Sequence, residues 1–144
     1  MIVKKSRYVN IYSPWIQLLQ TQMTILNMRF LLKLEFFFVL FQVTDLPEED
    51  LLSHFTSSNA FIEDGLAKDG AVLVHCYRGR SRSATVVVAF LMQKHGYSAE
   101  RALAKVRGKR EIIQPHESFL AQLKLYENMD FALDPDNLQF KMFK

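Results

Sequence analysis

Ala71-Val72-Leu73-Val74-His75-Cys76-Tyr77-Arg78-Gly79-Arg80-Ser81-Arg82-Ser83 opens as an apolar run and ends in the chain's one cysteine followed by three arginines. The first four residues read as a buried strand, and the segment from Ser83 onward reads as a helix. Between them the chain must turn tightly enough for its backbone N–H groups to converge on one point, and Gly79 supplies the freedom for that turn. Such a nest binds an anion. Cys76 stands at its start, near Arg82 and a helix N-terminus, and both favour the thiolate. The loop can therefore cradle a phosphate dianion through its N–H groups, offered by residues Tyr77, Arg78, Gly79, Arg80, Ser81 and Arg82, and through the forked Arg82 guanidinium. It can also aim a sulfur nucleophile at the phosphorus. A buried, inert cysteine is the common alternative, but three arginines within a few residues would then have to be accommodated without partners.

Composition adds bounds. The 144 residues suit one domain, and a hydrophobic fraction of 49% can build a core. A single cysteine allows no internal disulfide and no zinc ribbon, so a reducing cytoplasmic or nuclear compartment is the expectation. The net charge of +3 is unevenly placed. Residues 1–42 carry Lys4, Lys5, Arg7, Arg29 and Lys33 against Glu35, whereas residues 43–144 hold thirteen basic and fourteen acidic side chains. Nothing in that balance calls for nucleic acid. Residues 30–43 are too short for a membrane span and are interrupted by Lys33 and Glu35. No signal peptide is expected either, because the apolar run starts far from Lys4, Lys5 and Arg7.

Outward from the loop, Pro47 with Glu48, Glu49 and Asp50 predicts a helix first turn. Leu51, Phe55, Ile62 and Leu66 continue at helical spacing to Ala67, and Lys68-Asp69-Gly70 closes that helix before the strand. Residues 86–92, Val-Val-Val-Ala-Phe-Leu-Met, favour a strand on propensity alone. The anion site nevertheless needs a helix N-terminus there, and a helix apolar on nearly every side suits the centre of a small α/β domain. Ser98 is expected to cap the next helix, Pro115 marks a break, and a last helix from Glu117 should bury Phe119, Leu120, Leu123, Tyr126 and Met129. His54 reads as a solvated surface group. The histidines show no metal spacing, and no cofactor or metal is implied.

Asp45 is the second chemical candidate. Transfer of a phosphoryl group to Cys76 leaves an alkoxide or phenoxide that needs a proton, and a carboxylic acid on a strand-exit loop can give it and later take a proton from water. A plain turn or cap Asp is the competing reading. Ser83 can donate to the Cys76 sulfur as it leaves, or simply cap the helix. His75 reads as a support that tunes the thiolate, while the Arg78 and Arg80 side chains are either solvated or face a second phosphate.

The string His75 to Ser83 resembles the His-Cys-x5-Arg-Ser signature of the dual-specificity protein phosphatases, and further similarity lies in residues 45–54, 89–92 and 122–126. The resemblance covers residues 43–135. It implies an α/β protein tyrosine phosphatase-like fold, with a central sheet flanked by helices, whose N-terminal strands are here missing or replaced. It also implies hydrolysis of phosphotyrosine and phosphoserine or phosphothreonine through a cysteinyl-phosphate intermediate, with phosphorylated proteins as partners. By position Asp45 matches the family's general acid. A phosphate-binding scaffold without turnover and a phosphatase for phosphoinositides or other multiply phosphorylated molecules are the alternatives. Pro115-His116 stands where the family usually has Pro-Asn, and that Asn braces the active-site loops. One subfamily adds a cysteine-rich zinc domain and a link to ribosome maturation, neither of which is carried over to a chain with one cysteine.

Residues 1–42 match nothing in that family, which divides the chain into an atypical segment 1–42, a catalytic domain 43–130 and a C-terminal tail 131–144. Residues 36–42, Phe-Phe-Phe-Val-Leu-Phe-Gln, are also what a T-rich tract ending in CAG would encode, as at the end of an intron. The other reading of the segment is a genuine edge strand and helix.

Overall fold

A computed structural model describes residues 2–6, 36–67, 71–134 and 136–143. Three strands form one sheet: β1 (Ile2–Ser6), β2 (Phe36–Leu40) and β3 (Ala71–His75), in the order β2-β1-β3. Both pairings are antiparallel, with Ile2 opposite Leu40 on one side and His75 on the other. The strand that pairs with β3 thus comes from the N-terminal segment. Val72 and Val74 are buried, whereas Ala71 is exposed and Leu73 and His75 are half-buried. This alternation means that among the described residues the helices bury mainly one face of β3.

The chain then reaches α1 (Phe55–Leu66) later than Pro47 suggests. Residues 47–48 form a turn, with Glu49 N–H donating to the Leu46 carbonyl, and a 3-10 turn at Leu52–His54 leads into the helix. Asp50 caps that turn, accepting from Ser53 N–H at 2.9 Å and from Ser53 Oγ at 2.6 Å. Leu51, Leu52, Phe55 and Ile62 are fully buried. His54 is half-buried with its ring 4.9 Å from that of Phe41, so it is not the solvated group expected. The expected closing turn at Lys68-Asp69-Gly70 lies outside the described residues.

Helix α2 (Arg82–His95) is the centre of the molecule, buried at Ser83 to Phe90 and at Met92 and packed against α1, α3, α4 and β3. Its valines are helical despite their strand preference. The helical penalty of a β-branched residue is about 0.5 kcal/mol, and burying a valine contributes about 1.5–3 kcal/mol; a helix surrounded on all sides buries Val86, Val87 and Val88 together, which an alternating strand with one covered face cannot. Gly96 ends it in the left-handed region at φ 62°.

Helix α3 (Ala99–Arg107) starts as expected, with Ser98 Oγ accepting from Arg101 N–H at 3.2 Å. Helix α4 (Glu117–Asn128) buries Phe119, Leu123 and Tyr126, and Met129 just beyond it, but not Leu120, which is 36% exposed, while Gln122 is 2% exposed. At 100° per residue Leu120 lies roughly 120° from the centre of the buried face, and Gln122 lies within it. The segment read as a tail contains a further helix, α5 (Leu138–Phe143), whose Phe140 and Phe143 pack half-buried on the core. No helix among the described residues is long and apolar enough to cross a membrane.

Candidate active site

The end of β3 and the start of α2 place the expected loop between them. Gly79 adopts φ 63°, the left-handed conformation the turn needs. Cys76, at the end of β3, is buried, and its Sγ lies 3.2 Å from Ser83 Oγ on the first turn of α2. Burial pushes the thiol up, but the Ser83 hydroxyl, the backbone N–H groups of Ser83 and Gly79 and the charge of Arg82 more than offset it, and the net shift is downward. The nucleophile expected at Cys76 therefore sits where its thiolate is favoured.

Arg82 is half-buried. Its Nη1 donates to the Val43 carbonyl at 2.9 Å, and its Nε is buried with no hydrogen-bond partner among the described residues. A buried guanidinium N–H without an acceptor is costly unless an anion completes it. The Val43 bond also draws the strand-exit segment against the loop, and Asp45 follows two residues later in an exposed bend. Its carboxylate makes no hydrogen bond among the described residues, so it is not engaged as a cap there.

The other loop residues separate into distinct roles. Tyr77 is 80% exposed and Arg78 is exposed, so their side chains lie outside the loop. Ser81 precedes α2 without capping it through its side chain; its hydroxyl instead accepts from His116 N–H at 3.1 Å. His75 is half-buried at the end of β3, opposite Ile2. The Arg80 side chain is hydrogen-bonded within the protein: Nε donates to the Ile112 carbonyl at 3.2 Å and Nη2 to Gln114 Oε1 at 2.6 Å.

His116 does not leave the loops unbraced. Its imidazole Nδ1 accepts from Ser118 N–H at 3.2 Å and caps α4, while its backbone N–H makes the bond to Ser81. The brace runs through the main chain, and the identity of the side chain matters less than expected. Two residues escaped the sequence reading. Arg110 Nε donates to the Gly79 carbonyl at 3.3 Å, and nothing in its spacing signals this. Gln122 Oε1 accepts from Leu51 and Leu52 N–H at 2.9 and 2.8 Å, and its Nε2 donates to the Glu49 carbonyl at 2.7 Å. A lone amide within the apolar stripe of α4 was the signal available.

A family model described as "Dual specificity phosphatase, catalytic domain" matches residues 17–129. The match begins inside the segment that the sequence sets apart, and residues 17–35 of it lie outside the described residues. The chain is 40% identical over 103 residues to dual specificity protein phosphatase MPK-4 of Drosophila melanogaster, covering 72% of this chain and 27% of that protein. It is 40% identical over 100 residues to dual specificity protein phosphatase 12 of Mus musculus, covering 69% of this chain and 30% of that protein. It thus spans less than a third of the length of these curated relatives. The crystal structure of human DUSP28 superposes with a TM-score of 0.59 at 40% identity, covering 60% of this chain and 61% of that one.

Proposed function

Because this chain belongs to the dual specificity phosphatase family, we propose that it hydrolyses phosphotyrosine and phosphoserine or phosphothreonine in proteins through a cysteinyl-phosphate intermediate. The observation that carries this reading is the Cys76 sulfur, lowered in pKa by Ser83, Gly79 and Arg82 despite burial, at the mouth of a left-handed turn before a helix. The thiolate attacks phosphorus, the S–P bond forms, and the ester P–O bond breaks with its electron pair on the leaving oxygen. Asp45 protonates that oxygen. Arg82, through its uncommitted Nε, and the loop N–H groups hold the phosphoryl oxygens. Water then attacks phosphorus, Asp45 takes its proton, and the S–P bond breaks to return the thiolate, which the Ser83 hydroxyl stabilises. A thiol that must stay reduced suits the cytoplasm or nucleus.

The test is hydrolysis of a small aryl phosphate without added metal by soluble protein. Cys76→Ser keeps the nest but replaces the thiolate with a hydroxyl that does not ionise near neutral pH, so turnover should vanish while vanadate still binds. Turnover retained in that variant would overturn the mechanism. A wild-type chain that binds vanadate without hydrolysing the ester would make the site a phosphate-binding scaffold.

A further inference from the structure

The loop of residues 110–116, between α3 and α4, meets three successive residues of the phosphate loop. Arg110 Nε donates to the Gly79 carbonyl at 3.3 Å, Gln114 N–H to the Arg80 carbonyl at 2.9 Å, and His116 N–H to the Ser81 hydroxyl at 3.1 Å. The Arg80 side chain returns the contact by donating to Ile112 and Gln114. All peptides here are trans, and in a trans peptide the C=O and the following N–H point in opposite directions. A Gly79 carbonyl held toward Arg110 therefore turns the Arg80 N–H away from the 110–116 loop. The Arg80 carbonyl held toward Gln114 does the same for the Ser81 N–H. An oxyanion nest needs such N–H groups fixed in one direction before the anion arrives.

The geometry assigns Arg110 as a positioning residue of the phosphate loop. It acts through the Gly79 carbonyl and not on the phosphate, and it fixes both the Arg80 N–H that faces the anion and the placement of Gly79, whose own N–H reaches the Cys76 sulfur. Arg80 serves as the second stitch of the same clasp rather than as a reader of a second phosphate.

This inference rests on the hydrolase reading, and the experiment separates the two. In the full chain, Arg110→Ala removes the donor, whereas Arg110→Gln keeps an N–H the same number of bonds from the backbone as Arg Nε and removes the charge together with the Nη groups. The readouts are kcat/KM on a singly phosphorylated aryl ester, inorganic vanadate affinity, the acid limb of the kcat/KM–pH profile, and the melting temperature. Arg110→Ala should lower kcat/KM and vanadate affinity by about 10- to 100-fold and move the acid limb to higher pH, as Gly79 loosens from the sulfur. Arg110→Gln should recover most of that loss.

Equal impairment of the two variants would mean that the charge or the Nη groups act rather than the Nε bond to Gly79, and would overturn the assignment. So would an Arg110→Ala protein that melts lower yet keeps its vanadate affinity and acid limb. If Arg110→Ala does not fold, Arg110→Gln decides against wild type: near-native vanadate affinity supports the assignment and its loss overturns it. A wild-type chain without turnover defeats the hydrolase reading alone, because vanadate affinity still tests Arg110.

Discussion

In the proposed mechanism Asp45 and Ser83 divide the chemistry around Cys76, and each can be isolated. An exposed carboxylate with no hydrogen bond among the described residues is free to act on a leaving group. Asp45→Asn should lower kcat by about 100-fold on an ester whose leaving oxygen is strongly basic, and much less on an aryl ester whose leaving group needs no proton. Steady-state rates across a leaving-group series check this, and equal losses would make Asp45 structural. Ser83 makes the largest of the contacts that lower the Cys76 thiol. In that mechanism the active form is the thiolate, which is lost as pH falls through its pKa. Ser83→Ala removes that contact, so the thiol rises from its wild-type position and the acid limb of kcat/KM moves to higher pH. The variant should lose more activity at pH 6 than at pH 8, and a parallel loss at both would contradict the role.

At the scale of elements, α4 holds the entrance to α1 through one side chain. Gln122 is buried and bonds three backbone groups of residues 49–52, distant in sequence. Gln122→Leu fills the space but leaves two buried N–H groups and a carbonyl without a partner, so it should destabilise the fold by about 2–4 kcal/mol. Urea unfolding with an unchanged slope measures it. This contact also explains why the helix begins at Phe55 and not at Pro47. The preceding residues take their hydrogen bonds from α4 and Asp50, which competes with continuing the helix upstream.

For the whole molecule, the sheet depends on its N-terminal segment. β1 lies between β2 and β3, so deleting residues 1–6 removes the partner of both at once. Loss of soluble yield and of cooperative melting is the expected result. Residues 36–40 form an outer strand of the described sheet with an uncharged apolar sequence, a composition prone to pairing between chains. If residues 1–42 replace the family's first strands, grafting the family's strand-turn-helix in their place should raise soluble yield and specific activity together. A native chain that melts cooperatively and matches the graft in activity would make the segment an integral part of the sheet.

The sequence by itself determined what neighbours along the chain can decide. The turn at Gly79, the pairing of Cys76 with Ser83 across a helix start and the cap at Ser98 all follow from groups a few residues apart, whose geometry the local backbone sets, whereas the valines of residues 86–88 are helical only because neighbouring elements bury them. Tertiary structure decided what depends on partners distant in sequence. Arg110 is 31 residues from Gly79, Gln122 is 70 residues from Leu52, and β1 pairs with a strand far downstream. Periodicity misplaced Leu120 because an apolar residue at the edge of a helical face is buried only if something covers it, and the neighbouring elements cover Gln122 instead. A hydrogen-bonding side chain offers many acceptable partners, and packing selects among them.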